Sequence, residues 1–102
     1  MAIKKQYLKN KPACRVTFQI HKKMEDDIRN IHVVGEFNNW DKCATPMKNH
    51  KNGFFSVSLD LDLNQRYQFR YFIDDMIWQN DQDADAFVYC PFGNCDNSVV
   101  IT

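Results

Sequence analysis

Apolar and polar residues alternate in short runs along most of the chain. From Ala13 to Ile20, Cys14, Val16, Phe18 and Ile20 fall on one side and Arg15, Thr17 and Gln19 on the other, the period of a half-buried strand. Phe54 to Leu61 repeats the pattern with Phe55, Val57, Leu59 and Leu61 directed inward. Arg66 to Ile73 repeats it again, with Tyr67, Phe69, Tyr71 and Ile73 on one face and Gln68, Arg70 and Phe72 on the other. Asn30 to Phe37 is more continuously apolar, which predicts a central strand, and Gly35 within it marks a bulge or a close backbone approach. Shorter strands are predicted at Met76 to Gln79, Phe87 to Tyr89 and Ser98 to Thr102. Ala44 to Met47 is at most a short edge strand, because Pro46 has no N–H to give a ladder.

Turn signals separate these runs. Asn52-Gly53 is a hairpin signal, and Asp74-Asp75 occupies a tight turn, where aspartate takes a positive φ less readily than glycine. His21 to Asn30 is charged and reads as a loop, or as one helical turn around Lys23 to Ile28 that is too short to stand alone. Residues 1–12 are basic and polar, end at Pro12, and read as a flexible or edge-lying lead-in. About seven or eight short strands with regular turns and almost no helix predict an all-β fold, an immunoglobulin-like antiparallel β-sandwich. It is expected as one domain over residues 13–102, with no internal repeat.

Composition adds a function class. Thirteen basic residues balance thirteen acidic ones, so the chain lacks the basic footprint of a nucleic-acid or anionic-membrane binder, and a neutral polymer is the easier partner. No run approaches the length of a membrane span, and the first residues have no apolar core of a secretory signal, which sets the expectation of a cytoplasmic protein. Cys14, Cys43, Cys90 and Cys95 are then expected as reduced structural thiols. Cys90 and Cys95 have the spacing of half a metal site, but no second pair stands at ligand spacing, so neither metal nor cofactor is expected.

Candidate chemistry gathers at the strand ends. Trp40 follows Asn38 and Asn39 and precedes Asp41, a polar setting for a large aromatic. A pyranose has an apolar C–H face and a hydroxyl rim; flat rings cover the face while cations and amides bond the rim. Trp40 and Trp78 are candidate platforms, Arg70 a candidate rim donor with a planar fork of N–H groups, and Asn97 a candidate amide. The alternative is that the two tryptophans are core or dimer-contact residues. Asp81, Asp83 and Asp85 have the spacing that opens a calcium loop. Ala86 replaces the needed glycine, however, and Phe92 the bidentate glutamate, so a solvated loop with Asp81 bracing it beneath Trp78 is expected. His21, His32 and His50 have no partnered nucleophile, and no carboxylate pair lies in an evident cleft, so no catalysis is expected.

The segments VVGEFNNW (Val33 to Trp40), ATPM (Ala44 to Met47), NGFFSVSLDL (Asn52 to Leu61), YQFRYFIDD (Tyr67 to Asp75), W-x-x-D (Trp78 to Asp81) and PFGNCDNSVV (Pro91 to Val100) resemble the glycogen-binding domains of the carbohydrate-binding module 48, or isoamylase early-set, type. Such domains accompany glycogen branching and debranching enzymes and the beta subunit of the AMP-activated kinase. The resemblance implies non-catalytic binding of α-1,4-glucans such as glycogen or starch. It implies Trp40, Arg70, Trp78 and Asn97 as binding positions, and Phe92 where the family slots an aliphatic side chain against the sugar. It also implies a glycogen-metabolising enzyme or kinase as a partner supplied in trans. A protein-interaction or scaffolding module that no longer binds sugar is the alternative.

Overall fold

The computed structural model describes residues 2–21, 28–50, 53–90 and 95–102. The helical turn expected around Lys23, the Asn52 half of the hairpin signal and Phe92 lie outside the described residues. Nine strands run through the rest: β1 (Ala2–Tyr7), β2 (Ala13–His21), β3 (Ile31–Gly35), β4 (Lys48–His50), β5 (Phe54–Asp62), β6 (Arg66–Ile73), β7 (Ile77–Gln79), β8 (Ala86–Cys90) and β9 (Cys95–Ile101). A single 3-10 turn, Glu36–Asn38, follows β3, and there is no α-helix among the described residues. The strands form two antiparallel sheets, β1-β2-β5-β4 and β3-β6-β9-β8, with β7 added to β6. This is the immunoglobulin-like β-sandwich that the alternation predicts.

Nine strands rather than seven or eight arise at two places. Residues 2–7 form a paired edge strand within the expected lead-in, with Ile3, Lys5 and Tyr7 opposite Phe18, Val16 and Cys14. The pattern hid it because Lys5 stands on the inward side. Its ammonium reaches Asp85 at 2.6 Å, and Tyr7 donates to the Thr102 carbonyl at 3.1 Å. The second addition is β4, which begins at Lys48, one residue past the apolar segment. Ala44 to Met47 instead bridges β3 at Pro46. Val33 N–H donates to the Thr45 carbonyl and Met47 N–H to the Ile31 carbonyl, so the flanking residues carry the pairing and proline leaves no donor missing.

The core lies between the sheets. Cys14, Val16, Phe18, Ile20, Phe55 and Leu61 come from one sheet, and Ile31, Val33, Phe69, Tyr71, Ile73 and Val100 from the other. The rings of Phe18 and Phe69 meet edge-on at 5.0 Å, a favoured aromatic geometry. A polar network enters this interior. Asp81 is fully buried; Oδ2 accepts the Tyr71 hydroxyl at 2.6 Å and Oδ1 accepts the Asp83 N–H at 2.8 Å. Its own N–H donates to Ser98 Oγ, and that hydroxyl donates to Asn80 Oδ1. Burial, and then the Asp81 charge, push the Tyr71 hydroxyl well above its ordinary range, which keeps it a donor. The network ties the β7–β8 connection to β6 and β9, as the sequence reading of a braced loop expects.

Gly35 ends β3 opposite Phe69. Its φ of −169° is ordinary extended backbone, so conformational freedom is not its role. A Cβ there would stand 2.5 Å from the Gln68 carbonyl oxygen and 2.7 Å from the Phe69 Cβ. Glycine lets the two strands close to this distance. Beside them, the Glu36 carboxylate accepts the Gln68 N–H at 2.6 Å.

Two outcomes are expected. Tyr71→Phe leaves a buried carboxylate oxygen without its donor and lowers unfolding stability by about 1–3 kcal/mol in urea titration. Gly35→Ala forces β3 and β6 apart at backbone and Cβ atoms that cannot swing aside, and lowers stability by about 1–3 kcal/mol; an unchanged urea midpoint would show the approach to be slack.

Candidate functional site

The loop after β3 turns one aromatic inward and the next outward. Phe37 packs into the end of the core, with ring centroids 5.9 Å from Phe18, 6.1 Å from Tyr67 and 6.4 Å from Phe69. Asn38 folds back beneath it. Its oxygen accepts the Gly35 N–H, and its amide donates to the Val33 carbonyl and to Thr45 Oγ1. Asn39 and Trp40 both take left-handed backbone, with φ of 57° each. Trp40 N–H closes the turn on the Gly35 carbonyl at 2.9 Å. The Trp40 indole is thereby held at the surface, 39% exposed, by a loop anchored in the core.

The second wall comes from the outer face of β6. Alternation puts Gln68, Arg70 and Phe72 there, opposite the buried Phe69, Tyr71 and Ile73. The β6–β7 turn is closed by Met76 N–H on the Ile73 carbonyl, with Asp74 and Asp75 both left-handed. Asp74 accepts the backbone N–H groups of Asn30 and Arg29, which hold its carboxyl below the usual range. This turn sets Trp78 opposite Phe72, and their rings lie 4.4 Å apart at 32°. Trp78 covers Phe72 and remains 38% exposed itself. The Arg70 guanidinium carbon is 5.9 Å from the Trp78 ring centroid; Lys42 Nζ is 5.7 Å from the same centroid and 5.3 Å from that of Phe72. Arg70 Nε donates to Asn97 Oδ1 at 2.5 Å, and the Asn97 amide donates to Gln68 Oε1 at 3.0 Å.

These residues enclose an open pocket of about 470 Å³, lined by Glu36, Trp40, Lys42, Gln68, Arg70, Trp78 and Asn97. Four of the five candidates from sequence, Trp40, Arg70, Trp78 and Asn97, meet here; the fifth, Phe92, lies outside the described residues. Asn97 arrives in an unexpected posture. It is only 7% exposed and both ends of its amide are engaged, so it fixes the plane of Arg70 rather than offering a loose amide to solvent. The pocket also holds Glu36, Lys42 and Gln68, which sequence reasoning did not single out. Alternation along β6 puts Gln68 on the Arg70 face. Glu36 and Lys42 flank a loop whose coiling no residue period describes.

The lining combines two partly exposed indoles, a fixed guanidinium, an ammonium, two primary amides and one carboxylate. Rings can cover an apolar face while the polar groups meet a hydroxyl rim, so the arrangement can hold a small polar ring compound with apolar faces. Among the described residues no helix is long and apolar enough to cross a membrane. No curated protein matches the chain. The family model of carbohydrate-binding module 48, the isoamylase N-terminal domain, matches residues 27–87, more than half of the chain and a span that holds both tryptophans, Lys42 and Arg70; the protein belongs to this family of carbohydrate-binding modules.

Proposed function

We propose that the pocket binds α-1,4-glucans, glycogen-like or starch-like, and does not cleave them. The observation that carries this reading is the meeting of Trp40 and Trp78, each a little over a third exposed, with Arg70 in one open pocket. A glucose unit lays its C–H face on an indole, and the terminal nitrogens of Arg70 donate to its hydroxyls. Glu36 and Gln68 supply acceptors at the same rim. Aromatic contacts of this kind contribute about 0.5–1.5 kcal/mol each beyond burial. Affinity for a short oligosaccharide is therefore expected in about the high-micromolar to millimolar range. A chain long enough to touch both tryptophans binds better than a single glucose. Glycoside hydrolysis needs two carboxyl groups about 5–9.5 Å apart. Glu36 is the one carboxylate in the pocket lining among the described residues.

In this reading the chain works in the cytoplasm and brings a glycogen-metabolising enzyme or kinase to the polymer. Met76, Ile77 and Phe87 are large apolar side chains exposed outside the pocket lining, the kind of side chain a protein partner would cover. Their exposure favours a second reading, a protein-interaction module that has lost sugar binding.

Tryptophan fluorescence separates the two. Titration with maltoheptaose and β-cyclodextrin is expected to give a saturable change, with cellohexaose giving none. Trp40→Ala and Trp78→Ala, confirmed folded, are each expected to weaken binding by about tenfold, roughly 1.4 kcal/mol. No response at several millimolar α-linked sugar would end the glucan reading in favour of the protein-interaction one.

A further inference from the structure

We propose that this pocket prefers an α-glucan carrying a phosphate monoester to the neutral polymer, with Lys42 and Arg70 as the pair that receives the anion. The inference rests on the glucan reading and deepens it. Its starting point is a local charge excess in a chain whose net charge is zero. Lys42 and Arg70 both lie within 6 Å of the Trp78 ring centroid, at 5.7 and 5.9 Å. Ion pairs among the described residues join Lys5 to Asp85, and Lys11 and Arg15 to Asp60; neither pocket cation takes part in one. Among the described residues Glu36 is the one carboxylate in the lining, so two cations face a single anion there.

The hydrogen-bonding inventory points the same way. Arginine and lysine only donate, whereas a sugar hydroxyl both donates and accepts, so a neutral rim leaves their charge unanswered. A phosphate monoester accepts at three oxygens and carries about −1.5 to −2 charges at neutral pH. Asn97 occupies Arg70 Nε and sets the guanidinium plane, which leaves the two terminal nitrogens as the fork that matches two phosphate oxygens. Lys42 lies over the rings of both Phe72 and Trp78, where its flexible stem lets the ammonium act as a second point charge beside the stacked sugar. A glucose ring stacked in this pocket would carry a phosphoryl substituent on its rim into reach of both cations.

The test is calorimetric titration of the full chain with maltoheptaose, maltoheptaose carrying one 6-phosphate, glucose 6-phosphate and inorganic phosphate, at about 20 mM and about 500 mM salt. The phosphorylated oligosaccharide is expected to bind about tenfold more tightly than the neutral one at low salt, with the ratio falling below about twofold at high salt. Lys42→Met, which keeps the stem and removes the charge, is expected to bring the ratio close to one; Lys42→Arg is expected to keep it. Thermal unfolding confirms that both variants are folded. Equal binding of neutral and phosphorylated maltoheptaose overturns the preference and leaves the glucan reading standing. A preference that survives Lys42→Met or high salt overturns the assignment to this cation pair. Inorganic phosphate binding as tightly as the phosphorylated oligosaccharide overturns the glucan part of the proposal. If neither oligosaccharide binds, this inference and the glucan reading fall together.

Discussion

Strand β6 cannot shift its pairing by one residue. Phe69, Tyr71 and Ile73 are buried in the interior, while Gln68 and Arg70 line the pocket on the opposite face. A slip by one position would drive an amide and a guanidinium into the core and put two aromatic rings in water. The Tyr71–Asp81 hydrogen bond and the close Gly35–Phe69 approach hold the same register from two further directions. The candidate site is written on the outer face of this strand, so the constraint that builds the core also positions the pocket.

The rest of the pocket is added by two short connections, each carrying backbone in a costly region. Asn39 and Trp40 in one, and Asp74 and Asp75 in the other, are non-glycine residues with positive φ. Left-handed backbone costs about 1–2 kcal/mol for an ordinary residue and less for asparagine or aspartate, whose short side chains bond locally. Trp40 is the one of the four outside that class. It stays there because Phe37 packs against the core and Asn38 bonds three separate groups beneath the loop. Anchors that hold the Trp40 backbone in this region before a ligand arrives lower the ordering cost of binding.

Asn97 and Arg70 illustrate the same economy of motion. An arginine free to rotate would lose side-chain entropy on meeting a ligand. The Asn97 oxygen, itself oriented by Gln68, removes part of that freedom in advance. The tilted stack of Phe72 on Trp78 does likewise for the second exposed indole.

Alternation in Ala13 to Ile20, Phe54 to Leu61 and Arg66 to Ile73 determined these strands, their inward faces and the face on which Arg70 would stand, because a strand has one period and burial reads it directly. Turn chemistry at Asp74-Asp75 put Trp78 on a short returning strand, and the polar setting of Trp40 put that ring on a loop. Edge strand β1 was obscured, since its inward Lys5 is answered by Asp85, 80 positions away, and no local pattern encodes that partner. Only the tertiary structure decided that Trp40, Lys42, Arg70 and Trp78 share one pocket, and that Asn97 serves by holding Arg70. Those are relations between a coiled loop, two strands joined by a turn, and a distant final strand. Their distances follow from how the sheets twist and pack, which no spacing along the chain expresses.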